Sequence, residues 1–130
     1  MARLLIIDDE ESLCRVLKIA FRKKGHFVET ASNGQAAKKR IESRVFDLII
    51  FDIRMPDLTG IDLLEYAHKT HNRTPFILIT AVPTMSTAIQ AVNLGAYRYI
   101  IRTDTLVEEL SLTVERTPEE LALLEETLRL

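Results

Sequence analysis

Acids stand at the ends of two apolar runs in this 130-residue chain, and a hydroxyl and a cation end two more. LLII at 4–7 runs straight into Asp8, Asp9, Glu10 and Glu11, and DLIIF at 47–51 runs into Asp52. PFILIT at 75–80 closes on Thr80, and AYRYII at 96–101 closes against Arg102. If these runs are neighbouring strands, Asp8, Asp9 and Asp52 converge on one rim. Two carboxylates about 4 Å apart repel by roughly 4 kcal/mol at an effective dielectric near 20. Three are tolerated only when one keeps its proton or a cation sits among them. Hard oxygen ligands with open positions suit Mg2+, which keeps several waters and shares its shell with a phosphate. Asp52 is the candidate nucleophile, since carboxylates form aspartyl phosphates. The Thr80 hydroxyl would bond one phosphoryl oxygen, and Arg102 would bring positive charge from the far side. Glu10 and Glu11 read as the start of a helix, where acids favour the positive end of the dipole.

The elements that must position these groups follow from hydrophobic pattern. Three of the runs are continuous, as in strands buried on both faces of a parallel sheet. HFVETA at 26–31 alternates more and reads as a strand with one wetter face. Leu13, Val16, Leu17 and Ala20 stripe a first helix, closed by Gly25 after Arg22-Lys23-Lys24. Asn33-Gly34 turns the chain into a second helix over 35–43. Ile61, Leu64 and Ala67 stripe a third; Ala88, Ala91 and Val92 stripe a fourth that Gly95 ends. Strand and helix alternate five times, which predicts an α/β fold with helices on both faces.

The last segment carries a different pattern. Leu110, Val114, Thr117, Leu121, Leu124 and Leu128 are spaced 4-3-4-3-4, a heptad-like seam. Pro118 interrupts it, while Thr117-Pro118-Glu119-Glu120 reads as a restart with a capping box. A helix from about residue 105, a break near 117 and a second helical piece are expected. The domain reading is 1–117 for the main unit and 118–130 for a helical extension or the start of a dimerising linker. The apolar stripe at the end leads us to expect more chain downstream.

Composition narrows the function. One cysteine, Cys14, allows no intrachain disulfide and fits a reducing, cytoplasmic setting. The net charge of −2 gives no general attraction to nucleic acid or anionic membrane. No apolar run approaches the roughly 18 residues of a membrane span. His68 and His71 lack a third ligand nearby and read as solvated surface. Arg22-Lys23-Lys24 and Lys38-Lys39-Arg40 read as cations at helix C-terminal turns. No glycine-rich phosphate loop is present.

Four strings, LLIIDDEE, FDLIIFDIRMPDLTGIDLL, PFILITA and TAIQAVNLGAYRYIIR, fall in an order that resembles the receiver domain of two-component response regulators, over roughly residues 2–116. The resemblance implies a flavodoxin-like, doubly wound, five-stranded parallel sheet of order 2-1-3-4-5, here with a C-terminal helical extension. It implies phosphoryl transfer to Asp52 from a sensor histidine kinase. Mg2+ would be held by Asp9 and Asp52 directly, by the Arg54 backbone carbonyl, and by Asp8 mainly through water. Thr80 and Tyr99 would form a switch pair, and Ala81 would offer its backbone N–H beside the phosphoryl oxygen. Such a domain catalyses only its own phosphorylation and dephosphorylation, and signals through its fourth helix, fifth strand and fifth helix. The T-A-I-x-A-V-x-L-G-A-Y run is similar to receivers of the nitrogen-regulation class of transcription activators. There a linker helix dimerises, and an ATPase and a DNA-binding domain follow. A homodimer through Leu110, Val114, Leu121, Leu124 and Leu128 is therefore expected, with those downstream domains missing from this chain.

Where that family carries Lys-Pro, this sequence has Arg102-Thr103. Arginine keeps the charge but exchanges a compact ammonium for a longer planar fork. Without proline, a trans peptide is expected before residue 103. Two other readings compete. A Mg2+-dependent aspartyl-phosphate phosphatase of the haloacid dehalogenase type would want D-x-D, and Asp52-Ile53-Arg54 lacks the second acid. A dimerisation module without phosphate input is the other.

Overall fold

The continuous apolar runs are strands with both faces covered. The computed structural model describes residues 2–53, 57, 60–69, 74–93 and 95–129. Five strands, β1 (Arg3–Ile7), β2 (Phe27–Ala31), β3 (Leu48–Asp52), β4 (Phe76–Thr80) and β5 (Arg98–Ile101), form one parallel sheet in the order β2-β1-β3-β4-β5. The register sets Leu4 opposite Leu48, Ile50 opposite Ile77 and Ile79 opposite Ile100. Helices α1 (Glu11–Lys23), α2 (Gly34–Ser43), α3 (Gly60–Lys69), α4 (Met85–Asn93) and α5 (Leu106–Arg129) cross between and after the strands. This is the doubly wound order expected.

Alternation along each strand divides the core in two. Leu5, Ile7, Ile49, Phe51 and Leu78 face a layer with Ala37, Ile41, Leu63, Leu64 and Ala91, from α2, α3 and α4. Leu4, Ile6, Ile50, Ile77 and Ile79 face Cys14, Leu17 and Phe21 of α1 and Leu106, Leu110 and Val114 of α5. In α1 the buried stripe is Cys14-Leu17-Phe21, one step round from the expected one, and Val16 is exposed. Val92 of α4 is likewise exposed, leaving Ala91 as its buried residue.

Helix ends follow local chemistry. Gly25 and Gly95 take φ of 90° and 82°, where side chains are strained. Each closes its helix with paired return bonds: Gly25 N–H to Arg22 and His26 N–H to Phe21, then Gly95 N–H to Val92 and Ala96 N–H to Ala91. Asn33 caps α2 by accepting from the Ala36 N–H at 2.8 Å. Arg22 and Lys23 lie in the last turn of α1 as expected, but only Arg40 of the second basic triplet lies in the last turn of α2. His71 and the His68 side chain lie outside the described residues.

The expected break near 117 is absent: α5 is one helix with Pro118 inside it. Thr117 does not cap a second helix. It is buried, and its hydroxyl donates back to the Thr113 carbonyl at 2.6 Å. Glu120 completes no capping box either, because its carboxylate accepts from Arg98 at 3.0 Å and from the Tyr97 hydroxyl. These anchors hold the helix to β5 although Pro118 offers no N–H to the Val114 carbonyl. The seam expectation is corrected for two residues. Leu110 and Val114 lie inside this chain's own core, so a partner cannot use them; Leu121 is half-buried, Leu124 is exposed, and the Leu128 side chain is outside the described set.

Burial separates the two ends of that seam in energy. Leu110 is 0 % exposed and Leu124 is 53 % exposed. Leu110→Ala should destabilise by about 2–5 kcal/mol, whereas Leu124→Ala should stay within about 0.5 kcal/mol. Urea unfolding of the two variants checks this, and equal losses would contradict the assignment.

Candidate functional site

Register alone lines up a row at the carboxyl edge of the sheet. Ile7 pairs with Phe51, so the next residues, Asp8 and Asp52, stand side by side on the two central strands. Asp52 pairs with Ile79, and Thr80 pairs with Ile101, whose successor is Arg102. Main-chain bonds extend the ladder past the strand ends: Ile53 N–H to the Ile79 carbonyl at 2.9 Å, and Arg102 N–H to the Thr80 carbonyl at 2.7 Å. Ligand crevices in open α/β sheets form at this edge, where the winding reverses.

Asp8 is the unusual member. It is 3 % exposed, while Asp52 is half-buried and Asp9 is exposed. Burial pushes the Asp8 carboxyl up to about 6 against the Glu10 N–H, which donates to it at 2.8 Å and favours the charged form; Asp52 and Asp9 add repulsion, and Arg102 opposes it. A buried acid beside like charges makes a place for a cation, and hard carboxylate oxygens are what Mg2+ takes. The donor set therefore fits Mg2+ in kind. The sequence expectation was that Asp8, Asp9 and Asp52 converge on one ion; among the described residues, no three His, Cys, Asp or Glu side chains are gathered closely enough to hold one as they stand. Arg54, whose carbonyl was the fourth expected donor, lies outside the described residues. Cys14 donates to the Asp8 carbonyl at 3.4 Å, and burial raises its thiol to about 11, which makes it a packing residue.

Thr80 and Tyr99 sit on adjacent strands, Tyr99 opposite Leu78. The Thr80 hydroxyl is buried and accepts from the Val82 N–H at 3.1 Å, a bond that does not use its own proton. Ala81 is exposed at the rim. Tyr99 is half-buried against the α3 and α4 layer, and its hydroxyl meets that of Thr87 at 3.0 Å. Thr87 in turn exchanges bonds with Thr84 across the first turn of α4, a reciprocal cap. The peptide before Thr103 is trans, no cis bond being found among the described residues.

Three neighbours escaped the sequence reading. Glu10 pairs with Arg102 across the rim, which depresses the Glu10 carboxyl and raises the guanidinium. Thr87 holds Tyr99, and only the Thr84-x-x-Thr87 spacing hinted at it. Asp57, five residues past Asp52, accepts from the Gly34 and Gln35 N–H groups at 2.8 and 3.1 Å and so caps α2 from a distant loop. No local signal marks that contact.

With this geometry in hand, comparison with known proteins is specific. The family model for the response regulator receiver domain matches residues 4–111. Regulatory protein AtoC of Escherichia coli is 39% identical over 114 residues, covering 88% of this chain and 24% of that protein. Response regulator protein PilR of Pseudomonas aeruginosa is 35% identical over 98 residues, covering 75% and 22%. This chain thus spans about a quarter of the length of these curated relatives. Among solved structures, response regulator protein TrrA of Thermotoga maritima, in complex with Mg2+-BeF, superposes with a TM-score of 0.79 at 29% identity, covering 89% of this chain and 98% of that one. NtrX of Brucella abortus gives 0.84 at 29% identity, covering 97% and 29%. The acid, hydroxyl and cation row stands within the residues that the family model matches, and the chain belongs to the response regulator receiver domain family.

Proposed function

We propose that this receiver domain is a phosphoryl-accepting switch: Asp52 takes a phosphoryl group from a sensor histidine kinase with Mg2+, and the α4-β5-α5 face relays the change to an attached output. The observation that carries this reading is the buried Asp8 carboxylate, raised to about 6 beside Asp52 at the open edge of the sheet. Supporting it, the TrrA structure is a Mg2+-BeF complex, and relatives include transcriptional regulatory protein ZraR of Klebsiella oxytoca. Control of transcription, through ATPase and DNA-binding domains of the nitrogen-regulation type, is the output we propose. A cytoplasmic setting is proposed with it; no helix of the described residues is long and apolar enough to cross a membrane.

The chemistry assigns each residue a part. An Asp52 oxygen attacks phosphorus, the P–N bond to the kinase imidazole breaks, and a P–O bond forms; water later cleaves the acyl phosphate at phosphorus. Bound Mg2+ would neutralise charge on the phosphoryl oxygens. Asp8, Asp9, Asp52 and the Arg54 carbonyl are its proposed holders. Thr80 donates its hydroxyl proton to one phosphoryl oxygen, the Ala81 N–H donates to another, and Arg102 faces the developing charge. Tyr99 exchanges its bond to Thr87 for an inward position as Thr80 moves. Homodimerisation is proposed on α5 beyond Thr117, through Leu121, Leu124 and Leu128.

Acetyl phosphate with Mg2+ should add one phosphoryl group to the wild type and none to Asp52→Asn, read by intact-protein mass spectrometry. Repeated turnover of a phosphate ester such as p-nitrophenyl phosphate would favour the phosphatase instead. A light-scattering mass unchanged by beryllofluoride would count against a phosphate-driven dimer.

The raised Asp8 carboxyl also fixes a pH dependence. Lifted from its ordinary 3.8 to about 6, it stabilises the metal-free fold below about pH 4 and loses that contribution as pH rises through 6. The loss is on the order of 3 kcal/mol, since each tenfold change in proton affinity is worth about 1.4 kcal/mol. Relative to Asp8→Asn, the metal-free wild type should therefore melt progressively lower between roughly pH 4 and 6, the window that those two values bracket, and level off above it. Mg2+ should restore the wild type near pH 7, and EDTA should reverse the gain. Parallel melting curves for the two proteins would refute the assignment.

A further inference from the structure

Glutamate is not among the good N-cap residues, and Glu10 does not act as one. It occupies the N-cap position of α1 with extended backbone, yet its side chain makes no capping bond. One carboxylate oxygen accepts from the Ser12 hydroxyl at 3.1 Å, and the other pairs with Arg102. Its backbone N–H donates to Asp8 Oδ1 at 2.8 Å. Main chain and side chain of one residue thus join the buried acid to the cation across the rim.

We infer that Glu10 is the positioning residue for Arg102, holding the guanidinium over the acidic rim so that its fork meets a phosphoryl group on Asp52 already aimed. The inference rests on the phospho-acceptor reading and deepens it. An ammonium is a compact charge that needs little aiming, whereas a planar fork on a longer stem acts through direction. The Arg102 main chain is fixed by its bond to Thr80, and its side chain is 27 % exposed. Among the described residues, Glu10 is the one side chain that Arg102 bonds, through Nη2. A guanidinium carries five N–H donors, so the rest remain for phosphoryl oxygens. Held in this way, Arg102 is still near enough to Asp8 and Asp52 for both to favour its charged form.

The sign of the effect distinguishes positioning from a plain field. An acid on the rim repels an anionic ligand, so a field role predicts tighter binding once Glu10 is removed. Positioning predicts weaker binding. Beryllofluoride is titrated at saturating Mg2+ into the 15N-labelled chain, with amide shifts as the readout, for wild type, Glu10→Ala, Glu10→Gln, Arg102→Ala and the Glu10→Ala/Arg102→Ala pair. Both Glu10 variants should weaken binding about tenfold, the worth of one charge-assisted bond. In the Arg102→Ala background, Glu10→Ala should change binding by less than about twofold, as expected of residues acting through one another. Since the Glu10 side chain makes no capping bond and its pair with Arg102 is partly exposed, both Glu10 variants should stay folded and melt close to the wild type; Glu10→Gln keeps the shape should Glu10→Ala disturb the loop. Binding as tight as wild type or tighter, or an equal loss with and without Arg102, overturns the inference. A wild type silent to beryllofluoride overturns the phospho-acceptor reading itself.

Discussion

Burial of both faces of β1 and β3 is the constraint on which the rest of the molecule depends. Leu4 to Ile7 and Leu48 to Phe51 point alternately into two apolar layers and have no room for a charge along their length. Parallel strands bonded on both sides leave no free ladder edge either. Polar chemistry is therefore confined to the strand ends, and the crossover helices leave the carboxyl edge open. Asp8 sits one residue beyond this limit, far enough to bond the Glu10 N–H and too deep to be freely solvated. Its raised affinity for a proton is the direct result of that half-step, and the same half-step makes a divalent cation welcome.

Much of this was legible because it is local. Continuous apolar runs mark strands covered twice, and Gly25 and Gly95 mark helix ends since other residues resist positive φ. Strand order was not local: alternation gives α/β, and only the resemblance of the motifs supplied 2-1-3-4-5. The α5 seam shows the limit of periodicity. A 4-3-4-3 pattern describes a stripe, not what covers it, and Leu110 and Val114 meet their own sheet where a partner helix would give the same spacing. Glu10, Thr87 and Asp57 were illegible for a related reason. Each acts through a side-chain contact between segments far apart in sequence, and Glu10 in particular was hidden by a sound local rule that acids favour helix starts.

The groups around Thr80 and Tyr99 are poised lightly. Thr80 accepts from Val82 through a bond that does not use its own proton, which in the proposed switch would go to a phosphoryl oxygen. Among the described residues, the Tyr99 hydroxyl is held to α4 by one neutral hydroxyl bond, of net worth about 1 kcal/mol. An added phosphoryl group carries about −1.5 to −2 charges. On the proposed phosphorylation, a charge of that size beside Thr80 and Arg102 would outweigh a single hydroxyl contact, which is the condition for shifting a two-state element rather than deforming it.

In the proposed switch, Tyr97 and Arg98 would carry that displacement out of the sheet. Both precede Tyr99 by at most two residues and both bind Glu120, two residues past Pro118 on α5. The first half of α5 is fixed by Leu106, Leu110 and Val114 in the core and by the Lys24–Glu115 pair with α1. The second half is held at Glu120, with a missing backbone donor between the halves. In the proposed switch, movement at the Tyr99 end of β5 would thus reach the helix beyond the turn that lacks this donor, where Leu123 and Leu124 stand exposed. Pro118, which locally argues for an end to the helix, instead lies inside it, between a half packed in the core and a half bonded to Arg98 of β5.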